Sequence, residues 1–198
     1  MMRFLRAGWI ATMPLAIAGC AAIGGVQPTS DTYELDVPTI SDAAPVRAGT
    51  QILIAEPQAL KALDSQNIVV RTDPLTIRYL DESQWSDRLP RLVQMRLAQA
   101  FQNSGRFKGV GLPGQGLAID YQIVTEIRAF GIDAGSNVAT VALAVKILND
   151  RNGVVASERV FETRTAAGGA GNAAYVAAID RAFASVARDV VLWVTERI

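Results

Sequence analysis

The chain has 198 residues, half of them hydrophobic, with 19 basic and 19 acidic side chains and no histidine. That length suits one ordinary domain with a sizeable core, and balanced charge without a basic tract argues against nucleic acid as a partner. The missing histidine removes the commonest metal ligand and the commonest general base together, leaving carboxylates, Lys, Ser and Tyr for any catalysis.

The chain opens with Arg3 and Arg6 and then runs apolar from Ala7 to Ala18, interrupted by Thr12 and Pro14. A positive start, a short apolar stretch and small residues before the lone cysteine, Cys20, make a secretory signal peptide. The run is short of the roughly 20 apolar residues that a membrane-spanning helix needs. Ile17-Ala18-Gly19-Cys20 resembles the bacterial lipobox, an aliphatic and two small residues before an obligatory cysteine. The resemblance implies cleavage before Cys20 and acyl chains on its amino end and thiol, and no other cofactor. One acyl chain holds a protein only marginally, whereas the three that the resemblance implies give stable anchoring. A cysteine committed to lipid leaves no thiolate nucleophile, no cysteine zinc site and no disulfide within the chain. Ala21 follows, where the enterobacterial sorting rule reads Asp as retention in the inner membrane, so the outer membrane is favoured over the inner. The reading is thus a signal peptide over 1–19 and a lipidated cysteine with a flexible, Gly-, Pro- and Ser-containing tether over 20–31. That tether has a reach of about 20 Å, and a domain follows over 32–198.

Within the domain, "QILIAEP" (Gln51–Pro57) predicts a strand. Ile68–Arg71 and Thr76–Tyr79 predict a hairpin around Asp73-Pro74. From Trp85 the period changes: Trp85, Leu89, Leu92, Val93, Leu97, Ala100 and Phe101 recur at helical spacing. Ser86 is the expected N-cap, with Asp87 and Pro90 in the first turn and Gly105 as the stop signal. A start at Asp81 or Ser83 would instead make Pro90 a kink. Gly109-x-Gly111-x-x-Gly114 matches the dinucleotide fingerprint formally, but it follows a helix and opens a strand, the reverse of the required context.

Leu117–Asp133 predicts a long strand with Ile119, Tyr121, Ile123, Thr125 and Ile127 on one face and Asp120, Gln122, Glu126 and Arg128 on the other. "NVATVALAVKILND" and "VVASERVFETRTA" predict the next two strands, turning at Asn152-Gly153. The last segment predicts a second helix with Asn172 as cap and Tyr175, Ile179, Phe183, Val186, Val190 and Val194 as its core stripe. Its other side, Asp180, Arg181, Arg188 and Asp189, is mixed in sign and reads as solvated. The sum is an α+β two-layer sandwich, a mainly antiparallel sheet covered by two amphipathic helices.

In this order of elements the chain resembles the ABC-type transport auxiliary lipoproteins, which include the PqiC (YmbA) proteins. The carriers are Tyr33-Glu34-Leu35 behind a lipobox, Ile52–Pro57, "NIVVRTDPLTIRYLDESQW" (Asn67–Trp85) with Leu89, the Gly105-Arg106-Phe107 break, and the Gly-entered last helix. The resemblance implies a fold like the amino-terminal domain of TolB. It also implies a non-enzymatic accessory of systems with MCE (mammalian cell entry) domain proteins that move lipids between membranes. Its implied partners are an MCE-domain protein, the ABC permease and ATPase, and the outer membrane; homo-oligomerisation stays open. It brings no catalytic residue set. Outer-membrane assembly lipoproteins of the LptE type, and a structural periplasmic binding module, are the alternatives. Asp81, Glu82 and Asp87 cluster as an acid/base site would, but turn and helix-start roles account for them. Trp85 reads first as a core anchor and second as a candidate partner contact.

Overall fold

The computed structural model describes residues 30–40, 46–73 and 75–198. In chain order its elements are β1 (Asp31–Tyr33), β2 (Arg47–Ile54), β3 (Gln58–Ala59), β4 (Asn67–Arg71), β5 (Ile77–Trp85), α1 (Leu89–Asn103), β6 (Phe107–Gly111), β7 (Tyr121–Asp133), β8 (Val138–Asn149), β9 (Val155–Ala166) and α2 (Asn172–Arg197).

The long strand β7 organises the sheet. Along one edge it pairs antiparallel with β8, which pairs antiparallel with β9. Its other edge is taken in succession by β2, β3 and β4, all parallel to it. From there the sheet extends through β4 to β5 and β1, and through β2 to β6. Ile123, Thr125 and Ile127 are buried as the alternation predicts. A bulge between Ile127 and Ala129 then shifts the phase, so that Phe130 and Ile132 continue the same buried face. An extra residue in one strand has this effect because the side-chain period is two.

Both helices cover that face. α1 buries Leu89, Leu92, Val93, Leu97, Ala100 and Phe101. It also buries Gln94, whose Nε2 donates to the Ile54 carbonyl 2.9 Å away, where β2 stops. α2 lies over β8 and β9 and buries Ile179, Phe183, Val186, Val190 and Val194. Aromatic rings join the layers: Phe130 meets Trp85 and Phe183 at 5.9 Å each, and Phe161 meets Trp193 at 5.5 Å. The architecture is the α+β sandwich of sheet and two helices expected from the sequence, and its longest ladders are antiparallel.

The details differ in four places. Trp85 ends β5 instead of opening the helix, because its N–H bonds the Gln66 carbonyl at 2.7 Å. Ser86 does not cap α1; its N–H goes to the Tyr33 carbonyl, and the cap position is Arg88, without a side-chain bond. The Ser65 carbonyl accepts from Leu89 N–H at 3.0 Å, so a loop supplies what a capping side chain would. Asn172 is the first helical residue of α2, preceded by Gly171 at φ 100°, a conformation that suits glycine. Finally, "FKGVG" forms edge strand β6, with Phe107 against Phe101 at 5.7 Å, where the glycines suggested only a connection.

Candidate functional site

Cys20 and the lipobox residues Ile17, Ala18 and Gly19 lie outside the described residues, as does Pro74. Trp85 is 1% exposed and packs edge-on against Phe130, so it presents no surface to a partner in this structure. Asp81 and Glu82 sit where β5 bulges away from β4, with Glu82 at φ 53°. The Asp81 carbonyl and Ser83 Oγ both accept from Asn172 Nδ2, at 2.9 and 2.8 Å, which fixes the start of α2 on β5. Asp87 accepts from the Arg88 N–H at 2.6 Å. Of the three, the Asp87 carboxylate is engaged in the loop before α1 and Asp81 contributes its main-chain carbonyl; no group of three metal-ligating side chains occurs among the described residues.

One of several concave features is a groove of about 240 Å³ on the sheet face opposite the helices. Strand register builds it. Tyr79, Val69, Gly131, Thr140 and Arg164 form one row across β5, β4, β7, β8 and β9. Ile77, Arg71, Asp133 and Val138 form the next. Gly131 is the floor. A Cβ there would stand 2.4 Å from the Val69 carbonyl oxygen, so only glycine lets β4 come this close to β7.

One wall is the turn after β3, where Leu63 and Asp64 N–H groups both bond the Leu60 carbonyl. Arg88 pins that turn: its Nε donates to Asp64 Oδ1 at 2.9 Å and it pairs with Glu56 at 3.3 Å. Leu60 rises from this wall 80% exposed, and Ile77 opposite is 39% exposed.

Charge in the groove is cationic on balance. Arg71 and Arg164 have no ion-pair partner within 4 Å among the described residues, and Arg128 pairs with Glu126 at 3.4 Å. Asp133 is the counter-charge. Its Oδ1 accepts from the Ser136 hydroxyl and N–H, each at 2.7 Å, and with Arg164 nearby these bonds hold its carboxyl below the usual range. The groove thus offers two guanidinium forks beside apolar walls, the geometry that takes carboxylate or phosphate oxygens. Sequence reasoning placed Arg71 and Arg128 only as strand residues and singled out none of the groove residues as a site, since nothing local shows that the register aligns them.

The family model of the ABC-type transport auxiliary lipoprotein component matches residues 33–191, and the chain belongs to that family. An uncharacterized protein of Bradyrhizobium diazoefficiens is 31% identical over 174 residues, covering 86% of this chain but 46% of the relative, so the chain spans less than half of that protein's length. Among solved structures, protein XCC0632 from Xanthomonas campestris, of the DUF330 family, superposes with a TM-score of 0.79 at 24% identity, over 85% of this chain and 96% of that one. An uncharacterized protein superposes at 0.65 with 13% identity, over 84% and 99%. These structural likenesses concern the fold. No helix among the described residues is long and apolar enough to cross a membrane.

Proposed function

We propose that this protein is a non-enzymatic accessory subunit of an MCE-type ABC system for lipid transport between membranes, held at the periplasmic face of the outer membrane by acyl chains on Cys20. The observation that carries the reading is the family match over residues 33–191, which places the chain among auxiliary lipoproteins of ABC-type transport. The lipobox at Ile17–Cys20 supports the anchor, and Ala21 after it favours the outer membrane. The absence of histidine, and the Asp87 carboxylate's bond to the Arg88 N–H in the loop before α1, support a role in docking over one in chemistry. A subunit of this kind joins a membrane-anchored domain to the transporter's MCE-domain protein.

Affinity capture of the tagged, lipidated chain from its own cells is the test. The expected result is recovery of an MCE-domain protein with the permease and ATPase, and loss of the gene is expected to sensitise the envelope to detergents. Capture of no transporter component under any condition would end this reading.

A further inference from the structure

We propose that the free edge of β9 is an interface at which a second copy of this chain pairs antiparallel, about a two-fold axis through Phe161, so that two sheets become one.

The edge is open and regular. β9 pairs with β8 and, among the described residues, with no other strand. β1 and β6, which end the other branches of the sheet, have three and five residues. Beyond the bulge that leaves Ala156 unpaired, β9 keeps one register from Ser157 to Ala166. A long, regular edge presents a row of main-chain N–H and C=O groups to any extended strand. Val155 and Val160 stand exposed along it.

The side chains select the partner. Phe161 points into the core, against Trp193 of α2, and the Thr163 hydroxyl meets that of Ser185. Alternation therefore puts Glu158, Val160, Glu162 and Arg164 on the face opposite the helices. With the axis at Phe161, Glu158 of each copy stands opposite Arg164 of the other. Ser157 then meets Thr165, Arg159 meets Thr163, and Val160 meets Glu162. The ladder uses Ser157 to Thr165, nearly all of the regular stretch. An axis at Val160 would set Glu158 against Glu162 twice, and one at Glu162 would set that carboxylate against itself. An axis at Thr163 would oppose Glu162 and Arg164, but would shorten the ladder to Val160–Ala166 and leave Glu158 opposite nothing. Opposite charges across an antiparallel pair stabilise it and like charges weaken it.

Each copy leaves those charges poorly matched by itself. Arg164 has no ion-pair partner within 4 Å among the described residues, and Glu158 reaches only Lys146, at 4.0 Å. Asp133 feels Arg164, but its Oδ1 is taken by the Ser136 hydroxyl and N–H. Glu162 is the odd charge of the junction, opposite Val160 and diagonal to acidic residues of the second copy. On the helix side the rim is mixed in sign. Arg159 stands over the Phe161 ring at 4.9 Å beside Asp189 and Glu196, and Arg188 pairs with Asp189 at 3.5 Å. α2 lies over both β8 and β9. Across the junction two α2 helices would thus stand about two strand spacings apart, about 10 Å, the distance of packed helices.

Sedimentation equilibrium of the full chain, purified in density-matched detergent, tests the pairing. Twice the monomer mass is expected at micromolar concentration. Glu158→Arg alone and Arg164→Glu alone should each weaken the dimer roughly tenfold, because each sets like charges opposite one another twice. Mixing these two variants should restore the dimer, since in the mixed pair every Arg again faces a Glu. That rescue also shows that both variants are folded. Glu162→Gln should tighten the dimer. Oxidation of a mixture of Val160→Cys and Glu162→Cys chains, carrying different tags, should link one of each. The parent chain reports any linkage through Cys20. A monomer at every concentration overturns the proposal, and so does a mass above the dimer, which would assign the edge to head-to-tail assembly. A dimer indifferent to the single reversals, or one that mixing does not restore, overturns the pairing at Phe161. Cross-links as strong within either cysteine variant alone as in the mixture do the same.

Discussion

Trp85 shows how one side chain joins the layers. It closes β5, its N–H is bound by the Gln66 carbonyl, and its ring is wedged edge-on to Phe130, which in turn meets Phe183 of α2. Trp85→Ala would leave a void between the sheet and both helices. It is expected to cost about 3–5 kcal/mol, which for a chain of this size lowers the melting temperature by roughly 6–20 °C. Circular dichroism melting measures this. An unchanged melting temperature would show that the site collapses freely and that the ring is no anchor. The sequence disclosed that Trp85 was apolar and near a helical stripe, since Leu89 and Leu92 follow at the right spacing. It could not disclose that the stripe begins one turn later, because the competing bonds, to Gln66 and from Ser86 to Tyr33, come from distant segments.

At the scale of elements, patterns with one buried face were legible and long-range pairings were not. β7, β8, β9 and α2 announce themselves because each is a dozen residues or longer and keeps its period over most of that length. β3 and β6 do not, being short edge pieces whose partners, β7 and β2, lie far along the chain. The register that brings Arg71, Gly131 and Arg164 into one groove is likewise a property of pairing, invisible in any local window. The segment after β1 is a third case. It crosses both helices: Leu35 enters the core, Glu34 pairs with Arg96 at 2.7 Å, and the Asp36 N–H donates to Asp180 Oδ1 at 2.8 Å. Burial foremost, and repulsion from Asp36 besides, push the Asp180 carboxyl above its ordinary 3.8, against the opposing pull of the Asp36 N–H and of Arg181 and Arg96. A raised carboxylate contributes stability that is present below the unfolded value and lost as pH rises through the folded one. At neutral pH, then, the charge on Asp180 is a liability. Asp180→Asn keeps the acceptor for Asp36 and removes the charge. It is expected to melt higher than the parent at pH 7, with the gap closing below pH 3.8. A variant that melts lower at pH 7 would show that attraction to Arg181 and Arg96 dominates.

The whole molecule is two-sided. One face of the sheet is sealed by α1 and α2, which bury Val93, Leu97, Phe101, Phe183 and Val190 completely, and the other carries the groove and its arginines. No helix among the described residues is long and apolar enough to span a membrane. In a family of lipoproteins anchoring falls to the lipid, and Cys20 is the chain's only cysteine. Each buried methylene contributes roughly 0.8 kcal/mol, so the anchor's strength scales with the number of chains. Cys20→Ser is therefore expected to abolish acylation and move the protein from the membrane fraction to the soluble periplasmic fraction, while its melting curve stays that of the parent domain. Metabolic labelling with a palmitate analogue, followed by fractionation, reads both effects. Equal label on the parent and the serine variant would show that Cys20 is not the acylated residue. Lost label with the protein still firmly in the membrane fraction would transfer the anchoring role to the uncleaved apolar segment from Ala7 to Ala18.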